Sequence, residues 1–170
     1  MRKTTIALVS LPAVIFGVPL AGAQPHDDKE RAELAKAMKG ARVSLAQGLT
    51  ASAKDGKPIS GKYEVEDGKL QLSVYTMKGD KYFEVIVDHK TGKVAKTEPI
   101  TEGEDLADAM KQAAALAKGK RSLREVVLEV EGSNAGYKAV RVEPEVEGGA
   151  VEVNVDLLKG TETKHVEKKI

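Results

Sequence analysis

The chain has no cysteine and no tryptophan, and only two phenylalanines among its 170 residues. Without cysteine no disulfide can form, even in an oxidising compartment, and no bacterial lipid anchor can be attached through a thiol. Stability must rest on Val, Leu and Ala packing, in a chain long enough for one ordinary domain or two small ones with limited cores. Charge of one sign is also missing. The formal net charge is +1, and removal of residues 1–23 leaves 25 basic side chains against 26 acidic ones. Interspersed charges near balance give no footprint for nucleic acid or an anionic membrane.

The motifs of common chemistry are absent too. There is no G-x-S-x-G elbow, no G-x-x-x-x-G-K-S/T phosphate loop and no G-x-G-x-x-G. The three histidines, His26, His89 and His165, lack the spacing of a zinc site. The expectation is a protein that is not an enzyme, with no catalytic residue, no cofactor and no metal ligand.

What is there begins with Met1-Arg2-Lys3, an apolar run from Ile6 to Leu20, and Ala21-Gly22-Ala23. This order is that of a secretory signal peptide over residues 1–23, cut before Gln24. Pro12, Gly17 and Pro19 interrupt the run, which falls short of the ~20 residues of a spanning helix. The expected location is periplasmic or secreted, with no stable membrane anchor after cleavage. Residues 24–29 read as a flexible leader.

From Glu30 to about Leu49, apolar residues at Leu34, Ala37, Met38, Ala41, Leu45 and Leu49 recur at helical spacing. Alternating runs follow: Ile59–Glu66, Leu70–Val74, Tyr82–Asp88 and Lys93–Thr97, with an Asp67-Gly68 hairpin signal and a Lys78-Gly79-Asp80 turn. A second helix is predicted over Glu104–Lys118, then strands at Val126–Val130, Tyr137–Glu143 (ended by Pro144), Val151–Asp156 and Thr161–Lys168. Leu34–Lys39 matches Leu106–Lys111 at an offset of 72, and Val85-x-Val87-Asp88 matches Val153-x-Val155-Asp156 at an offset of 68. The reading is an α+β chain with two copies, 30–99 and 100–170, each one helix packed on a four-stranded antiparallel meander.

Val85, Val87, Asp88, Thr91, Gly92 and Val94 form a V-x-V-D-x-x-T-G-x-V strand-turn after a helix and a glycine-punctuated meander. In this the chain resembles the PepSY domain family. The second unit keeps Val153, Val155, Asp156 and Gly160 and lacks the Thr-Gly pair in register. The tandem layout is similar to β-lactamase-inhibitor-like proteins. The resemblance implies a non-catalytic module that restrains peptidases or binds partners at the cell envelope, so a protein or peptide partner, a secreted peptidase among them.

If Leu72, Val74, Phe83, Val85 and Val87 pack on the helix, alternation places Tyr75, Met77, Tyr82 and Ile86 on the opposite face, with Tyr137 and Arg141 in the second unit. Tyr and Arg are enriched where interfaces concentrate their energy, and these six are the candidate partner-binding residues. Acidic runs at Glu64, Glu66 and Asp67 and at Glu143, Glu145 and Glu147, with His89, leave an alternative: a metal- or small-ligand-responsive envelope protein.

Overall fold

The computed structural model describes residues 25–170, so the signal-peptide reading of 1–23 lies outside the described residues. The described residues open with α1 (Pro25–Met38) and α2 (Leu45–Ser52). Four strands follow: β1 (Lys57–Glu66), β2 (Lys69–Lys78), β3 (Lys81–Val87) and β4 (Val94–Ile100). Then come α3 (Gly103–Leu116) and α4 (Leu123–Ser133). β5 (Lys138–Glu147), β6 (Ala150–Lys159) and β7 (Glu162–Lys169) complete it. All seven strands join one antiparallel sheet in the order β4-β3-β2-β1-β5-β6-β7.

The α+β class and the four strands of the first half are as the alternation predicted, but several other expectations change. Residues 25–29 belong to α1 and are not a flexible leader, with proline suited to the first helical position. The single helix over 30–49 is two helices. Ser44 and Gln47 form a capping box, with Gln47 N donating to Ser44 Oγ at 3.2 Å and Ser44 N to Gln47 Oε1 at 2.7 Å. That pair satisfies amides a new helix start leaves open, so α2 begins independently of α1. Finally, Val126–Val130 is no strand. Ser122 and Glu125 repeat the capping box, and Leu123, Val126, Val127 and Val130 are all buried at helical spacing, while Leu128 is 43% exposed. The second half therefore has two helices and three strands, where one helix and four strands were expected.

Pro144 also does not end its strand; it pairs with Val153 inside β5. β1 pairs with β5 only at Gly61–Val142 and Lys62–Arg141, so at Pro144 the strand has one partner and proline's missing N–H is tolerated as on an edge.

The internal repeat has a different register from the one the sequence suggested. α1 and α3 are offset by 78 residues, as are the N-caps Ser44 and Ser122. β1 and β5, β2 and β6, β3 and β7 start 81 residues apart. Burial decides against the offset of 72. It would equate Met38, 7% exposed, with Met110, 54% exposed, whereas 78 equates Ala35 with Ala113 and Met38 with Leu116, all buried. Likewise Val153 and Val155 sit in β6 and correspond to Leu72 and Val74 of β2, not to Val85 and Val87 of β3. The equivalent residues Gly61 and Val142 pair with each other, which gives the sheet an approximate two-fold axis at that pair.

α2 and α4 cover one face of the sheet. Under them lie Leu72, Val74, Val85 and Val87 from the first half and Val142, Val153 and Val155 from the second, each at most 1% exposed. Phe83, expected among them, is only half-buried near the start of β3. Each fully buried Val or Leu contributes roughly 1.5–3 kcal/mol by leaving water. The buried Tyr63 phenol donates to the Val43 carbonyl in the α1–α2 connection, and burial pushes its pKa up to about 12.

The Asp88–Gly92 turn has the geometry its residues predict. Asp88 Oδ1 accepts from Lys90 N at 2.9 Å, Thr91 N at 2.7 Å and the Thr91 hydroxyl at 3.0 Å. Gly92 takes φ 74°, which a side chain would resist. The His89 carbonyl at the tip accepts from Arg42 N and Val43 N, so the turn also fastens the α1–α2 connection.

Candidate functional site

On the face opposite α2, the register places Tyr75 beside Ser60 of β1 and Glu84 of β3, and Met77 beside Tyr82. Tyr82 also pairs with Ile100 of β4, and Ile86 lies further along β3 against Ser73 and Lys96. Tyr75, Met77, Tyr82 and Ile86 are all half-buried. Four of the six candidates thus form one band across two neighbouring strands, extended by Ile100.

Arg141 belongs to the same face. It pairs with Lys62 across the junction of the two halves, and it lines one polar cleft with Tyr75. The cleft measures about 120 Å³ and is roofed by Asp105, Asp108, Ala109 and Gln112 of α3. Gln112 ties the strands where their own ladder has ended: Ser60 Oγ donates to its Oε1 at 2.6 Å, and its Nε2 donates to Glu143 Oε1 at 3.0 Å. Arg141 pairs with Glu143, and Lys62 with Glu64 at 2.7 Å, its Nζ 6.0 Å from the centre of the Tyr75 ring. The cations of the cleft are thus neutralised in place. Burial raises the Tyr75 phenol well above its ordinary value, and the carboxylates of Glu84, Asp105 and Glu64 add to this. Burial likewise raises the Glu84 carboxyl, against a lowering contact from Ser73.

Tyr137 does not join them. Simple alternation puts 137 and 141 on one face, but β5 carries a bulge between Ala139 and Arg141, and the extra residue reverses the side on which everything before it points. Tyr137 lies instead at the corner where α1 meets α2, beside Met38 and Glu131, with the Lys159 ammonium 5.5 Å from its ring centre. Ser60, Gln112 and Ile100 had no local signal, because their places depend on strands and a helix distant in sequence.

Further along the face, His165 Nδ1 is 2.7 Å from Asp156 Oδ1, and Nε2 is 3.5 Å from Glu167 Oε1. The Asp156 bond, opposed by partial burial, raises the imidazole above 6.5. A raised folded pKa means that the pair stabilises fully below the unfolded value and loses this as pH rises through the folded one. Asp156→Asn is expected to lower the His165 titration midpoint, followed by NMR of the ring protons; an unmoved midpoint contradicts the pairing.

Among the described residues, no group of three or more His, Asp or Glu is placed to hold a metal ion, and no helix is long and apolar enough to cross a membrane. No family model matches the chain, and neither a curated protein nor a solved structure matches it.

Proposed function

We propose that this chain is a non-catalytic binding module, secreted or periplasmic, that engages a protein or peptide partner through the sheet face opposite α2. The observation that carries the reading is the band of Tyr75, Met77, Tyr82 and Ile86, continued by Ile100. Half-buried aromatic and aliphatic side chains in adjacent register offer a partner apolar area already held in place, at low cost in side-chain entropy. The neighbouring charges are paired among themselves, as Lys62–Glu64 and Lys96–Glu98 at 2.8 Å, so they supply a polar rim and leave the band as the adhesive part.

The signal-like residues 1–23 support the location. The Asp88–Thr91–Gly92 turn, built as its sequence requires, supports a PepSY-like first unit, and with it a secreted peptidase as the partner to try first. The four-stranded second unit is not part of this reading, since among the described residues α3 and α4 are followed by three strands.

Capture of secreted peptidases on the immobilised chain tests the proposal. Tyr75→Ala with Tyr82→Ala is expected to abolish capture; both rings pack against the core, so the melting temperature falls as well, and circular dichroism at the capture temperature is expected to show the fold retained. Capture that survives the pair, with the fold intact, moves the site elsewhere.

A further inference from the structure

The fold builds one corner twice; both copies are hollow, and only the copy at the C-terminal end of α4 has a carboxylate, Glu131, in its wall. Where the C-terminal end of α2 meets the end of α3 and the start of α4, an apolar cavity of about 420 Å³ opens, walled by Leu49, Ala53, Pro58, Leu116 and Leu123. Lys57, Arg121 and Arg124 stand around it. That volume is in the range of small-molecule sites, which are largely apolar with a few orienting polar groups.

The equivalent corner, at the C-terminal end of α4, shows what the fold itself demands. There the repeat offsets place Val43 for Arg121, Ala46 for Arg124, Glu131 for Ala53 and Ala139 for Pro58. Glu131 Oε1 accepts from Ala139 N at 2.8 Å, so a carboxylate sits in that corner to satisfy the amide of the strand bulge. Proline at 58 has no N–H to satisfy, and Ala53 brings no carboxylate. The wall of this copy thus carries no carboxylate. The two arginines are therefore not needed to make the corner, because its copy is made with Val and Ala.

The cations differ in availability. Arg121 is held by Glu129 at 2.6 Å, and Glu129 also holds Lys168 at 2.8 Å. Lys57 and Arg124 are exposed and form no ion pair among the described residues. The Ser122 amide and hydroxyl at the start of α4 are taken by Glu125, which leaves recognition of a negative group to Arg124 and Lys57. From an apolar cavity rimmed by uncommitted cations, we infer that this corner binds an anionic amphiphile, a medium-chain fatty carboxylate. Its tail lies against Leu49, Leu116 and Leu123, and its carboxylate lies toward Arg124 and Lys57. The site is separate from the sheet face and does not depend on the partner proposed there.

Decanoate, kept below its aggregation concentration, is titrated into the full chain while amide NMR signals are followed, with decanol and acetate in parallel. Saturable shifts are expected at Ala53, Leu116 and Leu123 with decanoate. Decanol, which keeps the tail and loses the charge, is expected to bind at least about tenfold more weakly, and acetate not at all. Lys57→Glu with Arg124→Glu, both at exposed positions, is expected to weaken decanoate at least about tenfold without changing the fold. Ala53→Phe fills the cavity and is expected to abolish binding. Equal binding of decanol and decanoate, an unchanged affinity in the double variant, or shifts confined to other parts of the chain would each overturn the assignment.

Discussion

Val142→Asp is expected to unfold the whole chain, not merely the half that carries it. Val142 is completely buried and pairs with Gly61 at the junction of the two halves. The buried core is a single cluster that runs from Ala35 and Leu45 through Val85 to Val153 and Leu158, so neither half keeps a private interior. A carboxyl forced into such a place has its pKa raised by about 3–5 units. At about 1.4 kcal/mol per unit, the penalty at neutral pH is about 4 kcal/mol, because it builds up over the roughly three units between the unfolded value of about 3.9 and neutral pH. Net stabilities of whole domains are only about 5–15 kcal/mol. Because the folded pKa is raised, the penalty is absent while the carboxyl is protonated in both states, below about pH 4. It grows as pH rises, until the folded-state value is passed. Urea unfolding followed by circular dichroism at acid and neutral pH is the measurement, with Thr97→Asp on the exposed edge strand β4 as the control. One transition, shifted far more at neutral than at acid pH, is the expected result. Two transitions, one of them with the parent midpoint, would show that the halves fold separately.

The single interior also explains which parts of the fold were legible in the sequence. Two turns show how a signal closed within a few residues carries directly into the structure. Asp67-Gly68 sits at φ 49° and 72° in the hairpin it announces, and the Asp88 carboxylate closes on Lys90 and Thr91 as an Asx turn should. The two helix starts at Ser44 and Ser122 were equally local. Each is a Ser followed three residues later by Gln or Glu, and that signature was outweighed by apolar spacing that suits more than one structure. Val126, Leu128 and Val130 alternate like a strand, but Leu123 and Val127 complete a helical stripe, and only burial separates the two periods. The repeat was visible as an idea and misread in register. Leu-Ala-x-Ala-Met-Lys recurs by composition on helices whose buried faces align six residues away. Of the candidate site, Tyr75, Met77, Tyr82 and Ile86 were found by alternation alone. Tyr137 was misplaced by a bulge that leaves no mark in the residue pattern, and Gln112 could be found only by knowing which strands meet.

The corrected register makes its own prediction about packing. A Cβ built on Gly48 of α2 would lie 2.6 Å from Leu72 Cδ2 and 3.2 Å from Leu72 Cγ, so a glycine is matched to a leucine at the centre of the first half. The equivalent positions in the second half hold Val126 and Val153, both fully buried: two medium side chains in place of one absent and one large. Gly48→Val alone is expected to destabilise by about 1–3 kcal/mol through overpacking against Leu72, even though valine is the better helix former. Leu72→Val alone should cost about 0.5–1.5 kcal/mol for the methylene removed and the space left behind. Together the two changes copy the second half into the first. The valine at 48 then fills room that the shortened residue 72 vacates, so the pair should cost less than its parts by about 0.5–3 kcal/mol. Denaturant unfolding of the four proteins in this cycle measures that coupling. Strictly additive costs would mean that Gly48 and Leu72 are not the counterparts of Val126 and Val153, and the offsets of 78 and 81 would lose their packing rationale.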